Sequence, residues 1–245
     1  MPKIDVCIVA SRRPDLLAAT LESLSKRMLD HFEIENVYMN LDPIFGDEDA
    51  HAACLDLVRR RFPAAIVFEP ETPSFAGAVR RLWSATKAEF VLHLEDDWVA
   101  LTDIGPDVFT AFRNASIAQV SFHTAEQKWD IAKKGHFHKR NEYVRLFGIK
   151  IPKFSAFPIF TTSPSLLRGE FMRECARLMD PAKDPEKQFY YGVNPTLEKY
   201  VRNKKSYIFS PEKRPVIKDI GRDWQKEKKI RKVIRDANSV WEAEG

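Results

Sequence analysis

The chain has 245 residues, a formal net charge of +4 and 44% hydrophobic residues, enough apolar content for a proper core in one large or two small domains. No apolar run is long enough to span a bilayer, and Met1-Pro2-Lys3-Ile4-Asp5 lacks the apolar stretch of a signal peptide, so a soluble, cytoplasmic protein is expected. The charge is too mild to mark a nucleic-acid binder by itself, and Cys7, Cys54 and Cys175, odd in number and set among apolar residues, read as buried thiols.

Ile4 to Ala10 is a β-branched apolar strand, followed by the polar turn Ser11-Arg12-Arg13-Pro14-Asp15 and a helix carrying Leu16, Leu17, Thr20, Leu21 and Leu24. Glu35 to Leu41 reads as a second strand ending at Asp42-Pro43, Glu48 to Phe62 as a second helix and Ala64 to Phe68 as a third strand. Ser74 to Thr86 is a third helix with Ser74 or Thr72 as its cap. Its end leads into a fourth strand, Phe90 to Leu94. Four strands alternating with three helices predict an α/β fold with a parallel sheet covered on both faces.

The fourth strand runs straight into Glu95-Asp96-Asp97-Trp98, so its carboxyl end carries three acids at the place where ligands bind in open α/β sheets. Two unit charges ~4 Å apart repel by roughly 4 kcal/mol at an effective dielectric of ~20. Such a site holds protons or recruits a cation, and a hard divalent ion suits carboxylate oxygens. In extended backbone, residues i and i+2 point the same way, so Glu95 and Asp97 face one pocket while Asp96 turns away to cap or hydrogen-bond. A polar turn after a strand explains the same triplet without a ligand.

Taken together, the first strand with Ala10-Ser11-Arg12-Arg13-Pro14, its helix Leu21-Glu22-Ser23-Leu24, the segment Phe75-Ala76-Gly77-Ala78-Val79-Arg80 and the strand ending Glu95-Asp96-Asp97 resemble the nucleotide-sugar half of GT-A glycosyltransferases, family 2-like enzymes especially. The match covers roughly residues 3 to 100, and its specificity lies in the order and spacing of the pieces. The resemblance implies a GT-A type fold over a single domain, 1–245. Residues 1–100 would form the Rossmann-like nucleotide-sugar half, with helices on both faces of a mostly parallel sheet, and 101–245 an irregular acceptor-side half. Glu95 and Asp97 would act as the family's Asp-x-Asp motif, with Glu in place of the first Asp, holding Mn²⁺ or Mg²⁺ on the diphosphate of a UDP- or GDP-sugar, with Asp96 between them in the donor site. The family's base-binding Asp maps onto Asp42, and its Gly-x-x-Arg helix onto Gly77 and Arg80.

Chemistry supports those assignments. A carboxylate such as Asp42 at the end of a neighbouring strand accepts a uracil or guanine N–H, while Arg80, or Arg12 and Arg13 beside Ser11 in the first turn, offers forked donors to phosphate. Each also has a plainer role: Asp42-Pro43 starts turns, and the arginines suit a solvated surface.

In the second half, Gln119 to His123 is a short strand, Thr124 to Arg145 is polar and basic, and Phe154 to Thr162 is aromatic and interrupted by Pro158. Thr162 to Phe171 resembles the family's strand-turn before its acceptor-side helix. Asp184-Pro185-Glu186 then reads as a helix start with Asp as cap and Pro at the first position. The resemblance implies a general base at such a place, Glu186 first and Asp184 second, although any well-capped helix looks like this. Trp98, Trp129, Tyr190 and Tyr191 are candidates for stacking on sugar faces. His136 and His138, flanked by lysines, are expected in a solvated loop.

Ser206 to Ser210 is a late strand, and Gly221 after Val216 to Ile220 suggests a tight turn returning Asp219 and Arg222 to the site. Asp219 occupies the place where the family's late metal ligand, often His, is found, and Arg222 is a candidate for neutralising the leaving group. From Asp223 onward, Ile230, Ile234, Ala237 and Trp241 recur at helical spacing, which predicts a C-terminal helix with a basic outer face.

The reading is a metal-dependent, inverting glycosyltransferase with a nucleotide-diphosphate sugar donor and an acceptor hydroxyl. Nucleotidyl transfer needs a Gly-rich phosphate loop that Ser11-Arg12-Arg13-Pro14 lacks. Residues 202–235 hold thirteen Lys and Arg against four Asp and Glu, so a nucleic-acid-binding or DNA-modifying protein is the alternative.

Overall fold

Strand β1 (Lys3–Ser11) feeds two cores at once, because successive side chains of a strand point to opposite faces. Ile4, Val6, Ile8 and Ala10 are buried in one core, and Cys7 and Val9 in the other. In the computed structural model, residues 2–122, 129–147, 149–190, 192–235 and 238–243 are described. Helix α1 (Pro14–Arg27) starts on a proline, where a missing N–H costs nothing, and buries Leu17, Leu21 and Leu24 on the first core. Strand β2 (Glu33–Asp42) pairs parallel with β1. Helix α2 (Glu48–Arg61) is capped by Asp47, which accepts the Ala50 N–H at 2.9 Å. After β3 (Ile66–Phe68), Ser74 caps α3 (Phe75–Ala85) through the Gly77 N–H at 3.0 Å. That helix buries Val79, Leu82 and Trp83 on the second core.

Strand β4 (Phe90–Glu95) lies parallel to β1 on the side opposite β2. The chain therefore winds outward through β2 and β3 and then crosses back past β1, and this reversal leaves a crevice beyond the carboxyl ends of β1 and β4. Buried Asp5 fixes the crossing by accepting the N–H groups of Lys87 at 2.7 Å and Ala88 at 3.0 Å. A buried pair also spans it: the Trp83 indole donates to Nδ1 of His93 at 3.1 Å. Burial pushes the His93 pKa down to about 4, so the ring is neutral.

The second half completes the sheet with β6 (Ile117–Ser121), β7 (Phe137–Leu146), β8 (Ile149–Pro158), β9 (Ser165–Arg168) and β10 (Lys205–Ile208), after a short β5 (Trp98–Ala100). The order is β3-β2-β1-β4-β9-β6-β10-β7-β8, with β7 and β9 running against the rest. Helix α4 (Ile131–Lys134) precedes β7, and α5 (Gly169–Leu178) follows β9. Helix α6 (Pro195–Val201) precedes β10. Strand β11 (Ile217–Asp219) pairs antiparallel with β5, and α7 (Gly221–Glu227) follows it. Cys7, Cys54 and Cys175 are buried free thiols.

Three expectations are corrected. The basic C-terminal helix is instead the seven-residue α7 followed by an antiparallel hairpin, β12 (Ile230–Arg235) and β13 (Asn238–Ala243). The β-branched residues Ile230, Val233, Ile234 and Val240 favour strand. Asp236 and Ala237 lie outside the described residues. His136 and His138 are not in a solvated loop: His138 lies in β7 and His136 stacks on Tyr207 at 5.0 Å. The helix expected from Asp184 is a single 3₁₀ turn, Lys187–Phe189.

Candidate functional site

Register brings Ser11 of β1 opposite Asp42 of β2, and Val9 opposite Glu95 of β4, so three strands end together in polar residues. Beyond them the backbone turns sharply: the Asp96 N–H bonds the Val9 carbonyl at 3.0 Å, and Thr20 Oγ1 donates to the Asp96 carbonyl at 2.8 Å. The same hydroxyl accepts the Trp98 N–H at 3.1 Å. Helix α1 thus clamps the acidic turn through one threonine.

Each acid in that turn has a distinct environment. Asp96 is buried and points inward, taking the Ser11 N–H at 2.9 Å, the Ser11 hydroxyl at 3.2 Å and two donors of Arg13. Arg13 Nη2 also reaches Asp97 Oδ2 at 3.1 Å. Glu95 accepts the Trp98 indole N–H at 2.8 Å. Buried Trp98 is therefore held from its polar edge and does not present a sugar platform.

Arg13 is buried between two rings, 5.6 Å from the Phe45 centroid and 5.2 Å from the Trp224 ring. Those rings meet edge to face at 5.4 Å. Phe45 sits at φ 75 in the loop after β2, a region bulky side chains rarely adopt. Burial disfavours the Arg13 charge, and Asp96 and Asp97 more than restore it, so its pKa rises.

The late part of the chain reaches the same turn. Asp219 of β11 lies opposite Trp98, and the Ile220 N–H bonds the Asp97 carbonyl at 2.8 Å. Gly221 is required there, because a Cβ would stand 2.2 Å from Asp97 Oδ2. Arg222 pairs with Asp219 at 2.8 Å. Burial, then Asp96 and Asp219, push the Asp97 carboxyl up to about 7 against the pull of Arg13. Two acids sharing a pocket in this way are relieved by a proton or a cation. Among the described residues no cluster of three or more His, Cys, Asp or Glu is close enough to hold a metal alone. A hard cation whose shell is completed by substrate oxygens needs only one or two protein carboxylates, and Asp97 with Asp219 fits that case.

The other expected site residues have partners of their own. Asp42 is buried, accepts Asn40 at 2.8 Å and the Ser74 N–H at 3.2 Å, and has its pKa raised by burial. It links the end of β2 to the start of α3, where Gly77 lies. Arg80 is turned from that end: its Nε donates to the Ala176 carbonyl at 3.2 Å and ties α3 to α5. Arg12 pairs with Glu48 at 2.7 Å. On the acceptor side, α5 begins beside β4, where the Gly169 N–H bonds the Glu89 carbonyl at 2.7 Å. It packs along α3 through the Arg80 bond. Buried Asp184 caps its own loop, accepting the Glu186 and Lys187 N–H groups, each at 3.1 Å. Buried Gln188 braces the same loop through the carbonyls of Asp180 at 2.9 Å and Lys183 at 3.0 Å. Glu186 is half-buried on this rigid loop. Tyr190 lies 5.3 Å from the Arg140 guanidinium, Trp129 donates to the Gly135 carbonyl at 2.7 Å, and Tyr191 lies outside the described residues.

No protein-family model and no curated protein matches the sequence. Solved structures match by shape. A mannosyltransferase, PcManGT from Pyrobaculum calidifontis in complex with GDP-Man and Mn²⁺, superposes with a TM-score of 0.56 over 86% of this chain and 55% of that one, at 10% identity. S. aureus TarS matches with a TM-score of 0.54 over 86% of this chain and 35% of TarS, at 14% identity. Its 1–349 fragment gives 0.50 over 86% and 58%, at 16% identity. The chain has the GT-A type fold of these glycosyltransferases. It spans about half the length, or less, of the structures it matches. Phe45 and Trp224, which flank Arg13, were missed by sequence reasoning, and Thr20 was read only as part of the helix face and not as a partner of the acidic turn.

Proposed function

We propose that the protein is a glycosyltransferase that moves a sugar from a nucleotide-diphosphate donor to an acceptor hydroxyl, with Mn²⁺ or Mg²⁺ at Asp97. One observation carries the reading. In a fold shared with an enzyme solved with GDP-Man and Mn²⁺, the crevice beyond β1 and β4 gathers Asp97 beside Asp219, and burial, then the charges of Asp96 and Asp219, raise the Asp97 pKa.

Asp97 and Asp219, with Glu95 beside them, would hold the metal, which when bound supplies positive charge to the diphosphate. Asp96 does not face the donor. It fixes Arg13, and Arg13 in turn fixes Asp97, so the ligand oxygen is preset before substrate arrives. Asp42 at the adjoining strand end accepts a base N–H, and the first turn of α3 at Gly77 lies beside it. Arg222, exposed next to Asp219, neutralises charge on the departing nucleotide. Glu186 takes the acceptor hydroxyl's proton as that oxygen attacks the anomeric carbon from the face opposite the leaving group, which inverts the centre.

Calorimetric titration with GDP- and UDP-sugars, in Mn²⁺ and in EDTA, tests the donor site. Binding of one nucleotide series only with the metal present is the expected result. Equal affinity in EDTA and Mn²⁺ removes the metal from the reading, and no binding of either series removes the donor site.

A further inference from the structure

Strand β8 is the last strand of the nine-stranded sheet, and only the base of its partner β7 pairs inward, at Phe137 and His138 against β10. Among the described residues no strand lies beside the remaining length of the β7–β8 hairpin. Its outer part is apolar and exposed: Val144 is 48% exposed, Leu146 53%, Ile149 67% and Ile151 44%, and Phe147 at the turn is 94% exposed. Register pairs Val144 with Ile151 and Leu146 with Ile149, so these four share one face. Phe147 is held at φ 50, a conformation that bulky residues rarely adopt, yet its ring buries almost nothing within the chain.

Charge identifies what the hairpin as a whole meets. Lys139, Arg140, Arg145, Lys150 and Lys153 lie in the hairpin against the single acid Glu142, which pairs with Arg202 at 2.9 Å. Arg145 and Lys150 are directly opposite in the ladder and alternate with the four apolar residues, so they belong to the other face of the same hairpin, and like charges paired in this way destabilise a sheet unless an anion lies near them. A second copy is a poor fit. The edge strand carries Pro152, Pro158, Lys150 and Lys153, which block or repel edge-to-edge pairing, and two such hairpins would face each other with the same charge. An apolar tip on a hairpin whose sequence is this basic suits an anionic lipid surface, with Leu146, Phe147 and Ile149 at acyl-chain depth and the basic residues toward the phosphates.

We infer that the β7–β8 hairpin docks the protein reversibly on anionic membranes. It lies at the far edge of the sheet from β1, so docking is separate from the donor crevice and does not depend on the proposed transfer reaction. The experiment is vesicle flotation of the full chain with phosphatidylcholine alone and with phosphatidylcholine plus phosphatidylglycerol, at low and high salt. Flotation with the anionic vesicles only, reversed by salt, is expected. Phe147→Asn should abolish it; Asn accepts the left-handed backbone, so its melting temperature should equal or exceed that of the wild type. Arg145→Ser with Lys150→Ser should weaken flotation by roughly tenfold or more. No flotation at low salt, equal flotation with neutral vesicles, or wild-type flotation by Phe147→Asn each overturns the inference. Lipid-free self-association abolished by Phe147→Asn also overturns it and assigns the face to a second copy.

Discussion

Replacing Asp97 by Asn tests the electrostatics of the acidic turn without disturbing its shape, because Asn keeps an oxygen for the Arg13 bond at 3.1 Å. Raising a carboxyl from its ordinary 3.8 to about 7 corresponds to roughly 4 kcal/mol against the ionised form, at about 1.4 kcal/mol per pH unit. Solvent reaching the 16% exposed side chain screens part of this, leaving about 1–3 kcal/mol. The folded pKa is raised, so the linked stability is complete below about 3.8 and is lost as pH rises through about 7. Wild-type protein without metal should therefore melt lower at pH 8 than at pH 5, and Asp97→Asn should remove that difference. At pH 8 the variant should melt roughly 2–12 °C higher, at about 2–4 °C per kcal/mol for a chain of this size. The assay is a thermal melt at both pH values, with and without Mn²⁺ and GDP. Added metal and nucleotide should stabilise the wild type and leave the variant unchanged. A variant that melts no higher than wild type at pH 8, or that keeps the wild-type pH dependence, refutes the account of Asp97.

Trp224→Leu removes one wall of the Arg13 slot, worth about 0.5–2 kcal/mol; nucleotide affinity in the presence of Mn²⁺ should fall while the apo melting temperature moves only a few degrees. The paired replacement Trp83→Phe with His93→Leu removes a buried donor and acceptor together, which is nearly neutral at pH 7. His93 has a lowered pKa, so its stability is present above 6.5 and lost as pH falls through about 4; urea midpoints at pH 7 and pH 4 should differ less in the paired variant than in wild type. Glu186→Gln should lower sugar transfer by about 10² to 10⁴ at constant melting temperature. Asp184→Asn, which still caps its loop, should transfer normally; loss of transfer in Asp184→Asn alone moves the base two residues back.

The first hundred residues were legible because each local signal agreed with the tertiary fold. Ile4 to Ala10 is apolar on both faces, as a central parallel strand must be, and Ser74 has the side chain its capping position needs. Strand ends were the weaker part: β3 is only Ile66–Phe68, where a run from Ala64 was expected. The expected i, i+2 alternation also found Asp96 turned away from its neighbours, but it could not say what Asp96 turns toward. That partner is Arg13, 83 positions earlier, and no local pattern encodes a pairing across such a distance. Asp184 illustrates the opposite limit. Its capping chemistry was visible, but the helix it was expected to start is a single 3₁₀ turn, Lys187–Phe189, from which Gln188 bonds back to the carbonyls of Asp180 and Lys183. The C-terminal hairpin was misread because apolar spacing in a short segment fits both periods, and β-branched content was the better discriminator.

Charge at the acidic turn explains why metal and nucleotide are proposed to bind together. Among the groups joined by ion pairs, Asp96, Asp97 and Asp219 carry three negative charges when ionised and Arg13 and Arg222 return two of them, while Glu95, which accepts the Trp98 indole N–H, stands outside these pairs. The cluster is thus neutral with Asp97 protonated and carries one negative charge without that proton, consistent with a carboxyl held near neutrality at about 7. A divalent ion alone replaces one excess negative charge with one excess positive charge in a largely buried place, so it gains little. A diphosphate alone adds several negative charges beside an already repelling pair, which is worse. Only the two together leave the buried groups close to balance, with the excess negative charge on phosphate oxygens at the solvent side. Arg13 is central to this because it cannot release its proton. It cancels Asp96 permanently, leaving Asp97 as the acid whose charge is answered by a proton before substrate arrives and by a metal afterwards.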